Sequence, residues 1–572
     1  MNIVRRPHCE DSHLSSDIHP KIKQIYASRG IQQNEELDRS TGSLAHFKSL
    51  KGVDAAVDIL ADAIQHKNKI VIVGDFDADG ATSTALCMLA LKQLGSVEHD
   101  FLVPNRFDFG YGLSPEIVEV AHQQGAELIV TVDNGISCIA GVALAKELGM
   151  RVIITDHHLP AEILPVADAI VNPNQPGCEF ISKNLAGVGV AFYLMLALKT
   201  HLQQTGWFAS VGLAVPNLAT LLDIVAVGTV ADVVPLDVNN RVLVHQGIQR
   251  IRCGRCRPGI NALIDVAGKS NKALVASDLG FVLGPRLNAA GRLDDMTIGI
   301  QCLIAEEQGI ARSLAVQLDS LNRERREIEA SMQQEAVKTL DALELNAEDM
   351  PDGLVLFEAD WHQGVIGILA GRIKERYFRP TIAFAHQDDC VVKGSARSIP
   401  GLHIRDLLED INSRYPDIIE KFGGHAMAAG LSLKVEKLSA FKHVFEQVCK
   451  EWLADRPLQG QVLTDGSLPK DDFTLDFAQT LKDAGPWGQG FEEPVFDDVF
   501  AIKDQRLVGQ KHLKMMLENN VGQLIDAIAF NVDLQQWPNQ KAKRVHLAYK
   551  LDINEFRGRV SLQLLVETLK AL

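Results

Sequence analysis

No stretch of this 572-residue chain reaches the roughly 18 consecutive apolar residues that a membrane span needs. The best candidate, residues 185–198, is too short and reads as a buried helix. No apolar segment follows the two arginines of the opening MNIVRRPHCEDSHL, so no secretory signal is expected and the protein is placed in the cytoplasm. Nine cysteines are scattered without a framework of paired spacings, which suits a reducing compartment. Cys253 and Cys256 form one CxxC, but the second pair required by a structural zinc site is missing, and two free thiols is the plainer reading. A basic excess is also lacking: the net charge of −16 argues, on average, against a nonspecific polyanion binder. Charge is nonetheless sorted along the chain. Residues 241–260 hold five arginines and no acid, and 501–560 hold ten Lys/Arg against six Asp/Glu, whereas 461–500 hold two against nine. Local basic surfaces can still meet nucleic acid.

What remains is an ordinary globular composition, 46% hydrophobic and 23% charged, long enough for about three or four domains. From residue 46 to about 175 the pattern is strand, loop, helix, repeated. The apolar runs KIVIVGD, ELIVTVDNG and RVIITDHH each stop at acidic or histidine residues, and helical segments at 81–94 and 138–148 follow the first two. Continuous Val/Ile runs alternating with helices predict a parallel sheet covered on both faces. In such sheets the ligand site lies beyond the carboxyl ends of the strands, where these acidic clusters fall. Residues 306–345 read as a long joining helix with an apolar stripe and a solvated charged face. A second α/β domain begins with the buried strand GLVLFEA, and the short strand-like runs 514–517, 524–530, 545–551 and 560–566 fit a small β-barrel. No repeat demands an oligomer, and a monomer is expected.

Asp75, Asp77 and Asp79 in VIVGDFDADGATS are spaced by two, so an extended segment would point all three the same way. Three carboxylates on one side repel unless cations neutralise them, and a polar turn capping a helix accounts for one aspartate, not three. A phosphate loop would need a lysine that is absent, and an EF-hand would need an acid near Met88. Asp133 and the triplet Asp156, His157, His158 end two further buried strands. Imidazole with carboxylate oxygen suits Mn²⁺, Fe²⁺ or Zn²⁺ better than Ca²⁺. Asp133 alone reads as a turn former before Asn-Gly. Three neighbouring strand ends together converge five carboxylates and two imidazoles on one crevice. Asp223 and Asp232 interrupt the apolar run LLDIVAVGTVADVVPL, and one of them can complete the site, with helix capping as the alternative for Asp232.

These four motifs, DxDxDG, a strand-terminal DNG, the DHH triplet and a later buried Asp, resemble those of the DHH phosphoesterases. With GTVADVVPL, GPRLNAAGRL, WHQGVIGILAGR, GSARS and FGGHAMAAG in the same order, residues 46–572 resemble the family's single-strand-specific 5′→3′ exonucleases. The resemblance implies an N-terminal segment (1–45), a DHH domain (46–305), a connecting helix (306–349), a DHHA1 domain (350–460) and an OB-fold barrel (461–572). It further implies two Mn²⁺ (or Mg²⁺) ions on Asp77, Asp79, Asp133, His157 and Asp223, with Asp133 bridging. Asp75 stands in for a histidine that related pyrophosphatases carry at Val73, while Asp156 and His158 sit beside the metals. Two such ions lower the pKa of a shared water and neutralise the phosphate, so no nucleophilic side chain is expected. Candidate substrate contacts are Arg106, Arg286 and Arg292, the pair Ser395 and Arg397 for a terminal phosphate, and Gly423, Gly424 and His425. Phe530, Tyr549 and Phe556 can stack bases or fill the barrel core. The substrate implied is single-stranded DNA in recombination and mismatch repair, with single-strand-binding protein and a helicase as partners. A nanoRNA or cyclic-dinucleotide phosphodiesterase of the same superfamily is the alternative, disfavoured by the third domain.

Overall fold

Helix α1 (Pro20–Ser28) precedes the first sheet, whose strands β1 (Ile70–Val73), β2 (His99–Leu102), β3 (Leu128–Val132), β4 (Arg151–Thr155) and β5 (Ala169–Val171) are mostly Val, Ile and Leu. In the computed structural model, which describes residues 2–105, 112–341, 350–454, 458–556 and 558–572, they pair in the order β2-β1-β3-β4-β5, every neighbour parallel. Strands β1 and β3 are buried along their whole length, as continuous apolar runs require when helices cover both faces. Four helices frame the carboxyl ends: α2 (Ala78–Leu94), α3 (Gly187–Gln204), α4 (Leu222–Ala231) and α5 (Gly284–Leu293). Among the described residues no helix is long and apolar enough to cross a membrane, and all nine cysteines are free.

Helix α6 (Gln308–Asp341) runs to the limit of the described residues, and its expected end at 345 lies outside them. Two compact units result, one made of residues 3–322 with 463–572, the other of 323–462 with the first two residues. In the latter, strands β6 (Leu354–Phe357), β7 (Thr381–His386), β8 (Val391–Arg397), β9 (Lys421–Gly424) and β10 (Ala428–Lys434) form a mixed sheet, order β9-β10-β8-β7-β6, with only β6 and β7 parallel. Helix α7 (Ile366–Tyr377) packs on it. In the former, β11 (Phe496–Val508), β12 (His512–Glu518), β13 (Leu524–Ala529), β14 (Arg544–Phe556) and β15 (Arg559–Ala571) close into a barrel. The sequence pattern missed β11, because Asp497 and Asp498 break its apolar run at the start, Lys503, Asp504 and Arg506 break it again in the middle, and it follows directly on an acidic Gly/Pro-rich stretch.

The barrel shares one apolar core with the parallel sheet, although the sheet ends at Val171 and the barrel begins only at Phe496. The N-terminal segment fastens it. Arg29, with 1% of its side chain exposed, donates to both Asp465 oxygens at 2.6 and 2.9 Å, Arg5 grips Asp497, and the Tyr26 hydroxyl donates to the Ala484 carbonyl. Basic stretch 241–260 is partly absorbed in the same way. Arg241 is buried over the Phe491 ring at 4.4 Å, and Arg252 donates to the Leu274 carbonyl.

Candidate active site

Each acidic motif sits where a strand gives way to a helix or loop. Helix α2 begins at Ala78, three residues earlier than its apolar pattern suggests, so the three aspartates do not lie on one extended segment. Asp77 is the N-cap, its Oδ1 accepting from the Asp79 and Gly80 amides at 2.9 and 3.0 Å. Asp79 lies in the first helical turn and is 1% exposed. Its oxygens accept from the amides of Gly187 and Val188 at 2.6 and 2.9 Å, the amino end of α3. That approach needs glycine at 187, where a Cβ would stand 2.6 Å from the Cβ of Asp133. Asp133 itself adopts a left-handed backbone, φ 62°, at the end of β3.

The strand ends bring three overlapping groups of candidate ligand atoms within 4.8 Å of one another: Asp75, Asp77 and Asp133; Asp79, His157 and Asp232; and Asp133, His157 and His158. His157 is tied to the Leu185 backbone, and burial with His158 nearby lowers its pKa to about 4, so the ring is neutral at pH 7. Its Nε2 lies 3.1 Å from Asp133, 3.5 Å from Asp232 and 3.9 Å from Asp79. Burial, with the neighbouring carboxylates, pushes Asp79 up to about 7 and Asp133 and Asp232 well above the ordinary carboxylate range. Nε2 of His157 and Oδ2 of Asp232 are buried and have no hydrogen-bond partner among the described residues. A lone pair facing several carboxylate oxygens is the donor arrangement that a divalent cation satisfies, so the residues present fit a metal site.

The triplet divides its labour. Asp156 Oδ1 accepts from the His157 and His158 amides and from His158 Nδ1, at 2.7, 3.0 and 2.7 Å, and Oδ2 accepts from the Ile136 amide. Burial alone would lower the His158 pKa, but this carboxylate raises it to about 8. Asp156 therefore orients the loop, and His158 faces the cluster as the more basic imidazole.

Asp223 and Asp232 part company. Asp223 is 0% exposed at the start of α4, its carboxylate held by the amides of Arg257 and Ile224 at 2.8 and 2.9 Å, away from the cluster. Asp232, at the other end of that helix, is the one brought to His157. Arg286 also departs from expectation: its Nε and Nη2 bind Asp319 at 3.0 and 2.8 Å, Nη1 donates to the Val282 carbonyl, and 10% of the side chain is exposed. That arginine bolts α5 to α6, with three of its five N–H groups engaged there. Arg292 is half-buried on α5 and already partnered, and Arg106 lies outside the described residues. Unread in the sequence were three asparagines. Asn288 accepts from the Ala78 amide at the head of α2, while Asn172 and Asn174 donate to the carbonyls of His158 and His157. The only signal was their position in GPRLNAAGR and in the VNPN that ends β5.

In the second unit, Arg397 and Ser395 share one face of β8, the guanidinium 3.1 Å from Ser395 Oγ. Gly367, in the first turn of α7, lies so close that a Cβ would stand 2.9 Å from both side chains. Burial lowers the Arg397 pKa, and no carboxylate pairs with it among the described residues. Gly423 and Gly424 lie in β9, and the His425 amide closes the turn to β10 on Ala428. On the barrel, Tyr549 is core, its hydroxyl bound to Asp498, whereas Phe530 is 56% exposed; the side chain of Phe556 falls outside the described residues.

A parallel sheet whose strand ends gather carboxylates and imidazoles in this order defines a phosphoesterase domain of the DHH type. The description "DHH family, N-terminal domain" matches residues 69–229, the DHHA1 domain 351–451 and the RecJ OB domain 464–568. The chain belongs to the RecJ family of exonucleases. It is 56% identical over 570 residues to the single-stranded-DNA-specific exonuclease RecJ of Escherichia coli K12, covering 100% of this chain and 99% of that one. Against the Thermus thermophilus protein of the same name the identity is 30% over 554 residues, covering 96% and 76%. The crystal structure of RecJ in complex with Mn²⁺ from Thermus thermophilus aligns with a TM-score of 0.81 at 28% identity, covering 100% of this chain and 79% of that one. The Mg²⁺ complex from the same organism aligns with 0.75 at 26%, covering 100% and 78%. Divalent-metal use follows from these structures together with the acidic clusters.

Proposed function

We propose that this chain removes 5′-mononucleotides one at a time from the 5′ end of single-stranded DNA, in recombination and repair. The observation that carries the reading is the sheet-end cluster, in which His157 Nε2 turns a lone pair toward Asp133, Asp232 and Asp79. Asp75, Asp77 and Asp133 would hold one divalent ion and Asp79, His157 and Asp232 a second, Mn²⁺ or Mg²⁺, with Asp232 taking the place that the sequence offered to Asp223. When bound, such ions supply Lewis-acid activation of water and neutralise the phosphodiester charge. The amino end of α3 keeps Asp79 aimed inward, and Asp156 fixes His158 with its basic ring beside the cluster, able to donate to a phosphate oxygen. Arg397, Ser395 and the amino end of α7 offer an anion seat suited to a 5′-terminal phosphate, with Gly423, Gly424 and His425 on the neighbouring strands. By family resemblance we propose single-strand-binding protein and a helicase as partners, and we read the protein as a cytoplasmic monomer divided at residues 46, 306, 350 and 461.

The test uses a 3′-labelled, 5′-phosphorylated single strand, its duplex and a dinucleotide, each with Mn²⁺, for the natural protein and Asp77→Ala. Mononucleotides released from the 5′ end of the single strand alone, with an inert variant, support the reading. Cleavage of the dinucleotide only would make the protein a nanoRNase-type enzyme.

A further inference from the structure

Phe281 is 79% exposed, more than any other aromatic side chain among the described residues, yet it does not sit on a loose loop. It occupies the middle of a single π-helical turn, Leu279–Leu283, whose two end residues are 0% exposed. The turn is pinned from both sides. A Cβ on Gly280 would meet the Val230 side chain at 3.2 Å, and one on Gly284 would meet the Ala231 Cβ at 3.1 Å, so the backbone rests directly on the end of α4. From the other side Arg286, itself locked on Asp319, takes the Val282 carbonyl at 2.7 Å. Residues Val230 and Ala231 immediately precede Asp232. A wide turn of this kind re-aims one side chain, and such turns are frequent at functional sites.

The residue after Asp232 carries a second, independent sign. Val233 has φ 62°, a backbone region that a β-branched residue enters only under strain of about 1–3 kcal/mol, and its side chain is 62% exposed. Apolar surface is thus held out to solvent at two points beside Asp232, one by strain and one by a π turn.

From this we infer that Phe281 is a base-stacking residue of the cleavage site, seating one nucleobase of the substrate strand while its phosphate lies at the cluster. The inference rests on the strand-hydrolysis reading above and deepens it. An aromatic ring is matched by the face of a base, and every base has one, so the contact holds the strand without reading sequence. In a duplex both faces of each base are covered by stacked neighbours. The ring therefore favours a strand whose bases can splay apart, which ties a selection for single strands to the centre itself and not only to a distant barrel.

The experiment compares the full-length protein with Phe281→Ala and Phe281→Tyr on a 5′-phosphorylated single strand and on a set of strands lacking one base at a time. Removing one aromatic stack should lower kcat/KM on the complete strand by about 5- to 100-fold, mostly through KM, and tyrosine should restore it. At one position along the strand, removal of the base should bring the natural protein and Phe281→Ala to the same rate, while at all others the difference persists. Equal rates on every strand, or an unchanged deficit wherever the base is removed, would overturn the inference. Separately, Phe281→Trp in EDTA reports binding by fluorescence without turnover. Quenching by single strand but not duplex supports the stack even if no strand is hydrolysed, and no quenching by single strand rejects it.

Discussion

Exchanging one oxygen for an amide nitrogen at Asp232 and at Asp223 should have opposite effects on the metal-free protein. Asp232 offers an oxygen within 4.8 Å of one from Asp79 and of a ring nitrogen from His157. At that distance a pair of like charges repels by about 3.5 kcal/mol in an effective dielectric of about 20, and protonation relieves part of it. Asp232→Asn should therefore stabilise the chain in EDTA by roughly 1–3 kcal/mol. Asp223→Asn loses one of two buried acceptors for the amides of Arg257 and Ile224 and should destabilise by about 1–3 kcal/mol. The unit concerned has roughly 430 residues, for which the unfolding entropy is about 0.9 kcal/mol/K, so the shifts are about 1–3 °C in opposite directions. Adding Mn²⁺ at about 100 times its Kd for each of the two sites should stabilise the natural protein and Asp223→Asn by about 5.4 kcal/mol, but Asp232→Asn, left with the Asp75, Asp77 and Asp133 site, by only about half of that. Thermal denaturation in EDTA and across a Mn²⁺ series measures all of this. If Asp223→Asn loses half of the Mn²⁺ response while Asp232→Asn keeps all of it, the proposed ligand set is wrong.

Gly187→Ala should lower exonuclease activity at least tenfold and cost about 1–3 kcal/mol, because its Cβ would stand 2.6 Å from that of Asp133; wild-type kinetics would contradict this packing. Asp465→Ala leaves buried Arg29 only the half-exposed Glu492 at 3.6 Å and should destabilise by up to about 3–5 kcal/mol, whereas replacing both Arg29 and Asp465 with apolar residues should recover most of the loss in a denaturant titration. Burial raises the Asp497 carboxyl, but hydrogen bonds from Arg5, Thr464 and His546 outweigh it and hold the group below its usual value. A depressed folded pKa contributes stability that is fully present above the unfolded value near about 3.9 and disappears as pH falls through the folded one. Asp497→Asn should therefore flatten the acid limb of a stability–pH curve and leave its neutral limb parallel to that of the natural protein. Arg397→Ala should erase the preference for 5′-phosphorylated over 5′-hydroxyl strands while sparing cleavage of the latter, read from paired rate measurements.

The parallel sheet was legible because its strands are continuous Val/Ile runs that end at charged residues, and the gathering of Asp75, Asp77, Asp79, Asp133 and His157 follows from those ends. The choice between Asp223 and Asp232 was not. Nine residues apart on a helix of 3.6 residues per turn, they stand on opposite faces. Only one can reach the strand ends, and both interrupt the same apolar run. What decides is the partner of the other face, the Arg257 amide, which belongs to a different helix start and leaves no trace in the motif. The Asp319 partner of Arg286 was hidden for a related reason: an arginine in a glycine-rich motif looks the same whether or not a distant carboxylate holds it. The π turn carrying Phe281 has no periodicity of its own to read.

The clamp between the N-terminal segment and the barrel has a consequence for synthesis. Arg29 meets Asp465 across 436 residues, and Arg5 meets Asp497 across 492. At about 5–20 residues per second the ribosome needs about 20–90 s to span the shorter gap. Throughout that time Arg29 waits without the carboxylate that will bury it. The parallel sheet, by contrast, can assemble from neighbouring segments well before the barrel exists. The beginning of the chain is thus among the last parts to find its place.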